Sequence, residues 1–143
     1  MHVAAVLKRK GTDIVSVRPD DAIGAVARML AERRIGAALV IDGGAPVGIL
    51  SERDIVRGVA KHGAGALQQP ASTLMTRDLV TCRPDDTVAQ VMAVMSERRI
   101  RHLPVMDGPR LAGLISIGDV VKARLDDAEL EVESLRGYVA GIG

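Results

Sequence analysis

Asp13-Ile14-Val15-Ser16-Val17-Arg18-Pro19-Asp20-Asp21 reads as a short strand turning into a helix, and the chain writes it twice. The second copy is Asp78-Leu79-Val80-Thr81-Cys82-Arg83-Pro84-Asp85-Asp86. The correspondence runs without a gap over 13–58 and 78–123 at one constant offset, and 18 positions are identical. Glu32-Arg33-Arg34-Ile35 coincides with Glu97-Arg98-Arg99-Ile100, and Asp42-Gly43 with Asp107-Gly108. Gly48 matches Gly113, Ser51 matches Ser116, and Asp54 matches Asp119. Self-similarity at a fixed spacing marks a duplicated structural unit. Two copies are too few for a solenoid, so they are expected to pack against each other about a pseudo-two-fold axis.

Both copies have the same internal order. Ile14-Val15-Ser16-Val17 predicts a short strand. Arg18-Pro19-Asp20-Asp21 is a helix-start signal that puts Asp at the cap and in the first turn. Ile23, Val26, Ala27 and Leu30 follow at i, i+3, i+4 and i+7, which buries one stripe and turns the Glu/Arg side to water. Val88, Val91, Met92 and Met95 stand at the same places in the second copy. An apolar run, Ala37-Ala38-Leu39-Val40-Ile41, then a turn at Asp42-Gly43-Gly44 and a return at Val47-Gly48-Ile49-Leu50 make a hairpin. A second helix begins at Ser51 and runs to about Ala60. The second copy repeats the hairpin as Leu103-Pro104-Val105-Met106, Asp107-Gly108-Pro109 and Leu111-Ala112-Gly113-Leu114-Ile115. The expected fold is mixed α/β (α+β), two β-α-β-β-α repeats with a C-terminal helical extension.

These boundaries divide the chain into a first repeat over 1–60, a linker over 61–71, a second repeat over 72–124 and a tail over 125–143. Gly, Gln and Pro mark the linker. Val3–Lys10 and Ser72–Thr76 predict short helices leading into each first strand, with Gly11 ending the former. In the tail, Val121, Leu125, Ala128, Val132, Leu135 and Val139 follow a heptad-like spacing. Gly137 is a candidate early break. Such a stripe needs a covering surface, either the protein's own core or another subunit, and the reading favours the subunit.

The chain has 143 residues, 48% hydrophobic and almost wholly aliphatic, with 19 basic and 18 acidic side chains. A net charge of +1 argues against a large nucleic-acid surface. One Tyr and no Phe or Trp argue against base stacking. A single cysteine, Cys82, excludes an intrachain disulfide and fits a reducing compartment. No stretch approaches the roughly 18 apolar residues of a membrane span, and the first residues do not read as a secretory signal. A soluble cytoplasmic protein is expected.

The doubled unit, with its Arg-Pro-Asp-Asp turns, its Glu-Arg-Arg-Ile helix ends and the stretches Leu103-Pro104-Val105-Met106-Asp107-Gly108 and Gly113-Leu114-Ile115-Ser116-Ile117-Gly118-Asp119, resembles the CBS-domain family as one tandem pair, the Bateman module. The resemblance covers about residues 1–125, with no catalytic or DNA-binding domain attached. It implies two small mixed sheets packed face to face with helices outside, pairing of two modules into a homodimer, and binding of an adenine nucleotide or relative (AMP, ADP, ATP, NAD or S-adenosylmethionine) without catalysis. It further implies a ligand motif at Gly48-Ile49-Leu50-Ser51-Glu52-Arg53-Asp54 and at Gly113-Leu114-Ile115-Ser116-Ile117-Gly118-Asp119. There Asp54 and Asp119 would accept both ribose hydroxyls, and Ser51 and Ser116 would meet ribose or phosphate. The chemistry is sound: a carboxylate has two acceptor oxygens for a cis-diol, and a helix N-terminus offers free N–H groups and a positive dipole to phosphate. Ser-x-x-Asp is also close to a capping box, and both roles can coexist.

By the same resemblance Arg34 and Arg99 reach phosphate; otherwise they are solvated helix ends. Where the first copy has Gly36-Ala37, the second has Arg101-His102. Arg101 can hold a phosphate bidentately, and His102 can donate a hydrogen bond or simply pack. Two unlike sites are expected, the second better equipped for phosphate. The segment entering one copy would serve the site of the other, which nominates Thr12, Asp13 and Ile14 for the second-copy site and Asp78, Leu79 and Val80 for the first. As plain strand residues, Ile14 and Val80 would be core.

Gly43-Gly44-Ala45-Pro46-Val47-Gly48 does not fit a dinucleotide loop, and the three His residues have no metal-ligand spacing. Cys82 reads as a half-buried strand residue; as a nucleophile it would need a cationic neighbour beyond Arg83. The expected function is a non-catalytic regulatory module with AMP, or else NAD, in the cleft between the copies, read by an unknown effector protein. The alternative is a ligand-free dimerisation and scaffolding module.

Overall fold

The computed structural model describes residues 1–11 and 13–142, with side chains through residue 137. In chain order its elements are α1 (Val3–Lys10), β1 (Ser16–Val17), α2 (Ile23–Arg33), β2 (Ala37–Asp42), β3 (Ala45–Ser51), α3 (Glu52–His62), a 3-10 turn (Ala64–Gln68), α4 (Ala71–Leu74), α5 (Val88–Arg98), β4 (His102–Asp107), β5 (Arg110–Ser116) and α6 (Ile117–Ile142). They fall into two compact units. One is Asp13–Val80; the other joins Met1–Thr12 to Thr81–Gly143.

In the first unit β1 runs parallel to β2, and β2 pairs antiparallel with β3 in a register that sets Ala37 opposite Ser51. Gly43 and Gly44 turn the hairpin with φ of 60° and 79°, a conformation side chains resist. The core gathers Val17, Ile23, Val26, Leu30, Val40, Leu50, Ile55 and Met75. Three of these, Ile23, Val26 and Leu30, come from the apolar stripe of α2, as the spacing predicts.

The second unit repeats the hairpin. β4 and β5 set His102 opposite Ser116, and their register shifts between Val105 and Met106, the place equivalent to the shift between Val40 and Ile41. The first strand is shorter than its sequence suggests in both copies: Ser16–Val17 in one, a single parallel bridge from Cys82 to Val105 in the other.

The acidic caps are not where the helix-start signal put them. α2 is capped by Ala22 without a side-chain bond, and neither α2 nor α5 has an acidic residue in its first turn. Asp21 Oδ2 instead accepts from the Arg18 N–H at 2.8 Å, and Asp86 Oδ2 from the Arg83 N–H at 2.8 Å. The short carboxylates close the Arg-Pro-Asp-Asp turn behind them, as Asp does in turns. Thr87 caps α5 in a box with Gln90.

The lead-in segments pack in the unit of the other copy. Val3–Lys10, grouped by sequence with the first repeat, lies in the second unit: the Val3 N–H donates to Asp86 O and the Val88 N–H to Met1 O, each at 2.9 Å. Ala71–Leu74 lies in the first unit, and the Ile49 and Thr76 backbones bond reciprocally. The stretch 61–71 carries structure, with Ala66 of the 3-10 turn buried.

Gly137 does not end the tail helix, which continues to Ile142. One helical glycine costs about 1 kcal/mol relative to Ala, too little to break a long helix. Val121, Leu125, Val132 and Leu135 are all exposed, so this part of the stripe does not cover the protein's own core. The Val139 side chain lies outside the described residues.

Candidate functional site

Two sites grow from one local device, a strand that ends at Ser and hands its chain to a helix. In the first unit Ser51 caps α3. Its Oγ accepts from the Asp54 N–H at 3.1 Å, while Asp54 Oδ2 accepts from the Ser51 N–H at 3.0 Å and lies 3.0 Å from the Ser51 hydroxyl. Thr76 Oγ1 donates weakly to Asp54 Oδ1 at 3.4 Å. Thr76 is thus the member of the incoming segment that meets the carboxylate. Asp78 is exposed, while Leu79 and Val80 are half-buried in the same unit.

The second unit builds the same box with one addition. The Ser116 N–H donates to Asp119 Oδ2 at 2.9 Å, and the Asp119 N–H to Ser116 Oγ at 3.2 Å. Lys10, at the end of α1, donates to Asp119 Oδ2 at 2.6 Å and to Leu114 O at 2.9 Å. Burial alone would raise the Asp119 carboxyl. The bonds from Lys10 and Ser116 and the Lys10 charge outweigh it and hold the group below the ordinary carboxylate range. Lys10 has no signature in the sequence, because it stands 109 residues from Asp119.

The expected supply of free N–H groups at these helix starts is partly spent. The Glu52 N–H donates to Gly36 O at 2.9 Å and the Ile117 N–H to Arg101 O at 2.8 Å. The Asp54 and Asp119 N–H groups are taken by the Ser hydroxyls. This is the capping role that the motif shares with ligand binding.

Of the other nominated residues, His102 is the strand neighbour of Ser116, and Arg101, exposed, precedes it, so both stand at the second-copy site. Arg34 and Arg99 end α2 and α5 in the left-handed conformation, with φ of 55° and 56°. A side chain there costs of order 1 kcal/mol or more, and both copies keep Arg rather than Gly. Arg34 borders an apolar groove of ≈ 450 Å³ between α2 and α3, and neither Ser51 nor Asp54 lines it. Asp13 is exposed and Ile14 half-buried; both belong to the first unit, and Ser116 and Asp119 to the second. Thr12 lies outside the described residues.

The chemistry available is that of recognition. Asp54 and Asp119 carry their box contacts on Oδ2, and Thr76 meets Asp54 Oδ1 weakly. Each can still accept from hydroxyl donors. Cys82 is buried rather than half-buried, and burial followed by the nearby Asp86 charge pushes its thiol up to about 12. Such a thiol is no nucleophile at neutral pH. Among the described residues no group of three His, Cys, Asp or Glu can hold a metal, and no helix is long and apolar enough to cross a membrane.

The CBS domain family model matches residues 4–61 and 71–126. A crystal structure of a CBS-domain-containing protein of Agrobacterium tumefaciens is 49% identical, covers 87% of this chain and 99% of that one, and superposes with a TM-score of 0.84. A mitochondrial CBS domain-containing protein of Arabidopsis thaliana is 30% identical over 97% of this chain and 72% of its own. A CBS domain protein of Pyrobaculum aerophilum, solved in complex with AMP, is 30% identical with a TM-score of 0.73, covering 83% of this chain and 89% of that one.

Proposed function

This chain belongs to the CBS-domain family, and on that premise we propose a non-catalytic regulatory module that binds an adenosine-containing nucleotide, AMP first and NAD second. The carrying observation is the doubled Ser-x-x-Asp box, which presents a carboxylate at the start of α3 and again at the start of α6. Ser51, Asp54 and Thr76 form the first ribose site; Ser116, Asp119, Arg101 and His102 form the second, with Lys10 at its carboxylate. Asp78, Leu79 and Val80 supply the adenine wall of the first site, and Arg34 and Arg99 the phosphate ends. The AMP complex of the Pyrobaculum relative supports an adenosine ligand. A ligand regulates by binding one conformation more tightly than another. Here the Lys10–Asp119 ion pair is the contact that a ribose at Asp119 would disturb. We place the module in the cytoplasm as a homodimer that reports to an effector protein.

Titration calorimetry with AMP, NAD, ATP and S-adenosylmethionine tests this reading. AMP is expected to bind, and Asp54→Asn with Asp119→Asn is expected to weaken it at least tenfold, the order of one charge-assisted hydrogen bond. The scaffolding alternative draws on the self-satisfied boxes and gains if none of the four binds below about millimolar, a free energy of roughly 4 kcal/mol.

A further inference from the structure

Through Asp127 the tail helix turns one side to its own unit and the other to solvent, and from Ala128 to Gly137 every residue is exposed. Val120 and Ala123 are buried, Arg9 donates to Asp126 Oδ2 at 2.6 Å, and the Met1 ammonium meets Asp127 Oδ2 at 3.3 Å. On the opposite side Val121 (47%), Leu125 (59%), Val132 (45%) and Leu135 (64%) are exposed, with Ala128 between them. In heptad letters Leu125 and Val132 take a; Val121, Ala128 and Leu135 take d. Leu130 falls outside this seam.

The flanking charges identify the occupant. Arg124 and Glu131 take g, and Lys122, Glu129 and Arg136 take e. Among the described residues none of these five enters an ion pair within the chain. When two copies lie parallel, each g residue faces the e residue of the partner's following heptad. Arg124 then faces Glu129 of the other copy, and Glu131 faces Arg136, opposite in sign both times. An antiparallel pair can also match charges, Arg124 to Glu131 and Lys122 to Glu129. That register sets Val121 on Val132 and Leu125 on Ala128, and leaves Leu135 over Gly118 with nothing apolar to meet. The parallel register stacks every exposed seam residue on its own counterpart. Val132 at a with Leu135 at d is the combination that favours two strands, whereas Leu125 at a after Val121 at d is the reverse order, so the flanking charges carry the choice of partner and orientation. We propose that α6 pairs with α6 of a second copy as a parallel two-stranded coiled coil.

The inference rests on the homodimer reading and not on the ligand. Its test is the mass of the full chain by sedimentation equilibrium, with circular dichroism to confirm folding. The native chain is expected to be a dimer, and Leu125→Glu with Val132→Glu a folded monomer. Arg124→Glu is expected to weaken the dimer, and Arg124→Glu with Glu129→Arg to restore it. Recovery by Arg124→Glu with Glu131→Arg instead would overturn the parallel arrangement. A dimer that survives the two seam substitutions overturns the tail's role and leaves the homodimer standing. A monomeric native chain overturns both.

Discussion

Asp54 and Asp119 do the same structural job with different neighbours. A hydroxyl brushes one; an ammonium ion holds the other. Because the Asp119 carboxyl is held below its ordinary value, it adds stability above the unfolded value of about 3.9. That addition disappears as pH falls through the folded value. Removing the pair with Lys10→Met is expected to cost about 0.5–1 kcal/mol at pH 7, since Lys10 and Asp119 are 34% and 21% exposed. Urea unfolding at pH 7 and in acid checks this: the gap between native and Lys10→Met should shrink as the pH drops. A gap that held constant would mean that Lys10 contributes packing and not charge. Cys82 makes an independent prediction. With its thiol at about 12 and 4% exposed, it should resist alkylation at pH 8 in the folded chain and react on unfolding. Prompt native labelling would contradict the burial.

At the scale of elements, periodicity told most of the story because it is local. The stripe Ile23, Val26, Leu30 and the double-glycine hairpin were legible from neighbours in sequence. The caps were not, since Asp serves turns and helix starts with the same short carboxylate, and only geometry shows that Asp86 closes a turn while Thr87 caps. Thr87→Ala should therefore destabilise the second unit by about 1 kcal/mol in thermal or urea unfolding. Gly48 shows a similar limit. Its place in the motif was visible, but its steric reason was not. A Cβ there would stand 2.6 Å from Met75 Sδ and 3.1 Å from Thr76 O, where the incoming segment crosses β3. Gly48→Val is expected to cost about 1–3 kcal/mol by overpacking. Recovery of that loss in Met75→Ala would place the strain at the side chain, and no recovery would place it at the Thr76 backbone.

For the whole molecule, the repeat announced two units, but not which lead-in segment completes which. Pairing a helix with a strand a hundred residues away leaves no periodic trace, so sequence alone groups Val3–Lys10 with the copy it precedes. In space it supplies Val3, Val6 and Leu7, all buried, to the unit that holds β4 and β5. Each such side chain is worth roughly 1.5–3 kcal/mol of burial. A chain lacking residues 1–10 therefore loses several kcal/mol from one unit alone, a large share of the ordinary 5–15 kcal/mol of a domain. The loss should be asymmetric. Hydrogen exchange is expected to quicken along β4, β5 and α6 and to stay slow along β2 and β3, and Cys82 should become open to alkylation. Were the first unit to lose protection instead, the helix would belong with its neighbour in sequence, and the exchange of lead-in segments would be wrong. Equal loss in both would mean that the units unfold as one, so that α1 stabilises the pair and not its own unit.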